Sequence, residues 1–116
     1  MLKIGARQIA ALRGAARARF ADRVLERLRV DLPRQVGALT PDQARAKVLA
    51  RMDKAERFGL ETEQEVFRFV ALAFAYGDDF TRQPWAVPVF EDASLTRPSE
   101  RIAVLWESAP ARAMRA

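Results

Sequence analysis

The chain has 116 residues, half of them apolar and 30% charged, with a net charge of +5 and neither cysteine nor histidine. That is the size and composition of one globular domain with a modest core, not of a disordered chain. The missing side chains exclude disulfides, Ser-His-Asp and Cys-His mechanisms, zinc held by thiolate or imidazole, and proton shuttling by histidine.

From about Lys3 to Val30 there is no proline, and apolar residues fall at Ile9, Leu12, Ala16, Phe20, Val24 and Leu28. Steps of three and four predict one long helix ending near Leu32–Pro33. Repeated steps of four fall short of a full turn cycle, so the stripe drifts, starting under Ile9 and Leu12 and ending under Leu25, Leu28 and Leu32. Arginines run through this N-terminal stretch without a sustained apolar core, so it does not read as a secretory signal. Pro33 begins a short turn through Val36 before Gly37.

Thr40-Pro41-Asp42-Gln43 is a helix start: Thr40 caps, Pro41 takes the first helical position and Gln43 completes a capping box. Ala44, Val48, Met52 and Ala55 form the inner face of this helix, with Leu49 beside them. Arg45, Lys47, Arg51, Asp53 and Lys54 are expected outside. Phe58 anchors the end and Gly59 stops it. Two residues later Thr62 and Glu65 form a second capping box, so the two helices make a tight hairpin.

The second box opens the most apolar stretch of the chain, Val66–Tyr76, whose only charge is Arg68. It is too short to cross a bilayer, which takes ~20 apolar residues. Being apolar on nearly every side, it is expected to be enclosed by other helices, with Phe67, Val70, Leu72 and Phe74 in the core and Arg68 at its rim. Gly77 is expected as its left-handed C-cap. Asp78 to Trp85 then reads as a loop with an acidic mouth. Pro84 is expected to open a short helix over Trp85–Asp92, against the objection of Pro88. A last helix starts around Thr96-Arg97-Pro98 and carries Ile102, Leu105, Trp106 and Ala109 on one face before Pro110 ends it. Residues 1–110 therefore form a single helical domain and 111–116 a flexible tail.

Charge is unevenly spread along this plan. Residues 1–34 sum to +6 and residues 59–95 to −5, so the chain is basic at its front and acidic in its middle. Arg19, Arg23 and Arg27, spaced by four, stand in a row beside Phe20, Val24 and Leu28. Such a row can grip phosphates, although the pairs Arg19–Asp22, Arg23–Glu26 and Glu26–Arg29 at i,i+3 would partly neutralise it. No second short helix makes a helix-turn-helix with it. Adjacent Asp78 and Asp79 have the chemistry to hold Mg²⁺, but solvated loop carboxylates or partners for nearby arginines account for them more simply. Phe80, Phe90 and Trp106 read as core and loop plugs. Trp85 is the aromatic placed to reach the surface, where a tryptophan beside charge makes an interface anchor.

The run from Phe67 through Tyr76-Gly77-Asp78-Asp79-Phe80 to Pro84-Trp85-Ala86, followed by Glu100-Arg101 and Leu105-Trp106, resembles small helical bacterial proteins encoded beside type VI secretion spike and effector genes. These look like accessory, adaptor or immunity-type proteins. The resemblance spans roughly residues 6–108 and rests on aromatic, glycine and acidic positions. No catalytic residue comes with it. It implies a cytoplasmic binding protein whose partner is a secretion component or a toxin.

The sequence thus predicts an all-α protein, a small bundle of four main helices around the central hydrophobic one, working as a non-enzymatic protein-interaction module without metal or cofactor. Two contact surfaces are expected, the loop with Asp78, Asp79 and Trp85 and the row Arg19, Arg23 and Arg27. The basic front also leaves a homodimer open, and the alternative reading is an arginine-rich nucleic-acid-binding protein.

Overall fold

Prolines and capping boxes decide where these helices begin. In the computed structural model, which describes the backbone of residues 6–110 and the side chains of residues 14–110, α1 runs over Ala6–Asp31, α2 over Pro33–Gly37, α3 over Pro41–Phe58, α4 over Glu63–Tyr76, α5 over Val87–Glu91 and α6 over Pro98–Ser108. A 3₁₀ turn, Phe80–Arg82, lies between α4 and α5, and there is no strand among the described residues. The all-α expectation holds. The expectations for Ile9, Leu12 and the tail at 111–116 lie outside the described side chains.

Both capping boxes are complete. The Gln43 N–H donates to the Thr40 hydroxyl and the Thr40 N–H to the Gln43 side chain. Thr62 and Glu65 do the same at α4, where Glu65 also accepts from the Glu61 N–H. Those backbone donors hold the Glu65 carboxyl below the usual range. Pro33, Pro41, Pro88 and Pro98 all sit in first turns. A proline costs no hydrogen bond there, because those N–H groups have no helical acceptor. For Pro88 this corrects the expected Trp85–Asp92 helix. A helix begun at Trp85 would carry Pro88 beyond its free donors, so the chain closes turns from Ala86 and Val87 back to the Gln83 carbonyl and starts α5 at Val87.

α4 packs against α1, α2, α3, α6 and the 3₁₀ turn. Val66, Phe69, Val70, Ala71, Leu72, Ala73 and Phe74 are buried along it. Fully burying one Val, Leu or Phe side chain is worth ~1.5–3 kcal/mol, so this segment supplies much of the core. Facing it are Ala21, Val24, Leu25 and Leu28 of α1, Ala44, Val48, Met52 and Ala55 of α3, and Ile102 and Leu105 of α6. Phe67 departs from the expectation of a core residue. It is half-buried, its ring 6.3 Å from that of Trp106 and beneath the Arg27 guanidinium at 5.9 Å. The drift of the α1 stripe is visible too: Val24 and Leu28 are buried, Phe20 is half-buried and Ala16 exposed.

The two glycines with positive φ end their helices differently. Gly59 (φ 103, ψ 12) is a left-handed cap. A Cβ on it would also lie 2.8 Å from Pro98 Cγ, so the α3–α4 turn presses directly on the start of α6. Gly77 was expected to do likewise, but its φ of 97 comes with ψ of 165. That combination is essentially confined to glycine. It turns the chain out of α4 into an extended exit, so that Asp78 doubles back beside α3.

Candidate functional site

The exit of α4 is built around an arginine that periodicity assigned to solvent. Arg51 is 8% exposed and is the one buried charged residue among those described. Its guanidinium lies 4.3 Å over the Phe74 ring, and its Nε donates to Asp78 Oδ1 at 2.7 Å. Phe74 supplies an apolar face and Asp78 a carboxylate where α4 ends, so the long side chain folds inward instead of reaching for water. Buried Nη1 has no hydrogen-bond acceptor, and the aromatic face stands in its place.

One carbonyl further on, Lys54 Nζ donates to the Asp78 main chain at 3.1 Å. The Arg51 hydrogen bond, opposed by partial burial and helped by the charges of Arg51, Lys54 and Lys47, holds the Asp78 carboxyl below the usual range. The expected acidic mouth is therefore lined by three cations from α3. Asp79 is exposed and enters the 3₁₀ turn, its carbonyl accepting the Arg82 N–H at 2.9 Å.

Trp85 is half-buried. Its ring stands 5.0 Å from Tyr76 and is stacked at 11° on Phe80, 6.3 Å away. Gln83, which sequence reasoning passed over, clamps the assembly: it accepts from Trp85 Nε1 at 2.7 Å and donates to the Tyr76 carbonyl at 2.8 Å. One amide thus satisfies an indole donor and a carbonyl from the last turn of α4. The only hint in the sequence is its place two residues before the tryptophan.

Beside this exit, α3, α4, the 3₁₀ turn and α5 enclose an open hollow of about 560 Å³. Its walls are Phe58, Phe69, Val87 and Phe90, with Lys54, Arg57 and Glu91 at the mouth. Phe58 meets Phe69 at 5.6 Å and Phe90 edge-on at 5.8 Å. Phe90, expected as a plug, packs against the core and also forms part of the cavity wall. The hollow needs four separate elements to converge, which no local pattern reveals.

Along the arginine-rich α1 the pairing differs from the expected i,i+3 ladder. Arg17 of α1 reaches Asp53 and Glu56 of α3, Arg23 reaches Glu63 of α4 at 2.5 Å, and Asp22 takes Arg45 of α3 at 3.1 Å. Arg27 pairs with Asp31 at 2.8 Å. Arg19 is exposed and makes no ion pair among the described residues. Arg17, Asp22 and Arg23 are drawn to neighbouring helices because α3 and α4 present opposite charges beside them, while Arg27 stays with Asp31 of its own helix. A groove of about 740 Å³ runs beneath these bridges, floored by Phe20, Met52, Leu60 and Val66 and edged by Arg17, Asp53, Glu56, Glu61 and Glu63, of which Arg17, Asp53, Glu56 and Glu63 are already in ion pairs. Past Phe20 and Glu63 it continues as a smaller recess between α1 and α4, with Phe67 in its wall.

Among the described residues no three carboxylates stand close enough together to hold a metal ion, and no helix is long and apolar enough to cross a membrane. Comparison with protein-family models, curated proteins and solved structures gives no match. The residues just described therefore carry the functional reading alone.

Proposed function

We propose that the chain is a non-enzymatic protein-interaction module that engages another protein through the hollow between α3 and α5. The observation that carries this reading is the hollow itself, walled by Phe58, Phe69, Val87 and Phe90 and edged by Lys54, Arg57 and the single acid Glu91. Its volume lies within the ~300–1,000 Å³ of ordinary binding cavities. An apolar anchor such as Phe or Leu fills the pocket, while carboxylates flanking that anchor meet the two cations. The partner's contact segment is thus acidic with a large apolar residue at its centre. Trp85 and Asp79 stand outside this lining, and Thr81 is the residue of the adjoining exit of α4 that borders the hollow. The resemblance to small proteins encoded beside type VI secretion genes supplies the partner class, a secretion component or a toxin, in the cytoplasm.

Affinity purification from the native host tests this directly. A partner recovered by the wild type is expected to be lost from Lys54→Glu/Arg57→Glu and from Val87→Asp, variants at the mouth and wall of the hollow. Equal recovery from all three removes the hollow from consideration. Nucleic-acid binding is the weaker reading because Arg23 and Arg27 of the expected row already hold carboxylates. It predicts retention of DNA or RNA on a filter at low salt, lost steeply as salt is added.

A further inference from the structure

The mouth of the hollow carries both signs of charge on separate walls, and we infer that it accepts a partner segment in one charge order only: acids, then a large apolar anchor, then a base. This rests on the reading of the hollow as the docking site and specifies the chemistry of what docks there. Lys54 and Arg57 stand three residues apart on α3 and so share a face of that helix, whereas Glu91 closes α5. All three are exposed, and none belongs to an ion pair among the described residues. Lys54 spends one of its three donors on the Asp78 carbonyl at 3.1 Å. The Asp78 carboxylate is taken by Arg51 at 2.7 Å, which leaves both mouth cations to a ligand.

A segment lying across the mouth, with its apolar side chain in the hollow, passes the α3 wall on one side of that anchor and the α5 wall on the other. Carboxylates on the α3 side meet Lys54 and Arg57. A further carboxylate on the α5 side would stand against Glu91, like charge to like, whereas a lysine or arginine there meets its opposite. Two cations and one acid leave the mouth with one net positive charge. A segment with two acids and one base is its complement, and is still acidic as a whole. The chain's net charge of +5 draws a uniformly acidic segment more strongly from a distance. Contact with Glu91 is what turns the choice the other way.

An NMR titration of the full chain with end-blocked synthetic peptides tests this, in ~0.15 M salt so that charges beyond about 8 Å are largely screened. The mixed-sign probe is Glu-Glu-Gly-Phe-Gly-Lys and the uniform one Glu-Glu-Gly-Phe-Gly-Glu. The mixed probe is expected to bind the wild type about two- to fivefold more tightly, against the bias of the net charge. In Glu91→Lys, with circular dichroism to establish that it is folded, the order is expected to reverse. Alanine in place of phenylalanine in the mixed probe is expected to weaken binding at least about tenfold. A wild type that prefers the uniform probe, or a Glu91→Lys variant that keeps the wild-type order, overturns the charge order and leaves the hollow standing as a docking site. Phenylalanine and alanine probes that bind alike, or no binding by either, remove the hollow itself and with it the reading on which the charge order rests.

Discussion

Arginine serves two opposed purposes in this molecule. At the exit of α4, Arg51 is folded inward onto Phe74 and tied to Asp78, part of the packing as much as of the charge. Along α1, Arg23 and Arg27 keep 58% and 66% of their side chains exposed, and their ion pairs lie in water. Exposed pairs contribute only ~0–1 kcal/mol, because hydration competes with them and salt screens them. One region is therefore structurally committed, while the other holds charges that a partner can redirect at little cost.

The sharpest way to break that contrast is to empty the exit. Phe80 is fully buried between Phe69 and Trp85, and Phe80→Ala is expected to cost ~3–5 kcal/mol in urea denaturation. The half-buried Phe20 of the α1 face is expected to cost less than half as much. Equal losses would mean that the α1 face is also core.

A smaller effect is expected from Arg51→Met, on the order of 1–2 kcal/mol, chiefly from the lost stack on the Phe74 ring, since the Asp78 carboxylate is 63% exposed and returns to water. Arg51→Lys should recover little, lacking a planar head to lie on the ring. The same contact has a pH signature. Asp78 titrates below its unfolded value, so its contribution is complete above the ordinary carboxylate range and is lost as pH falls through the depressed value. The gap in urea midpoint between wild type and Asp78→Asn should therefore close on acidification. A gap that stays constant with pH would assign the effect to shape and not to charge.

The smallest effects belong to α1. Arg23→Ala and Arg27→Ala are each expected to change stability of the monomer by no more than ~0.5 kcal/mol and to become indistinguishable from wild type in ~1 M salt. A salt-resistant loss larger than that would put these residues in the same class as Arg51.

What could be read in advance divides along similar lines. Thr40, Gln43, Thr62 and Glu65 announced two helix starts because a capping box needs only four consecutive residues. Ala44, Val48, Met52 and Ala55 announced a face because helical periodicity is local. Arg51 broke the reading because its placement depends on Phe74 and Asp78, residues of another helix and the loop beyond it. Gly77 was legible as a stop but not as an extended exit, since its ψ is set by the pull of α3 on Asp78. The hollow was illegible for the same reason: it is made by elements separated in sequence, and the pattern of any one of them contains no record of the others.

The two tryptophans bear on how the molecule comes apart. Trp85 lies against Tyr76 at the end of α4, whereas Trp106 lies against Phe67 and under Arg68 near its beginning. The chain thus carries one natural fluorophore beside each of the two regions, in distinct aromatic surroundings. Versions retaining a single indole, through Trp85→Phe or Trp106→Phe, would give each end of α4 its own optical signal. Coincident emission changes would mark one cooperative unit, and separated ones would show which end of the central helix lets go first.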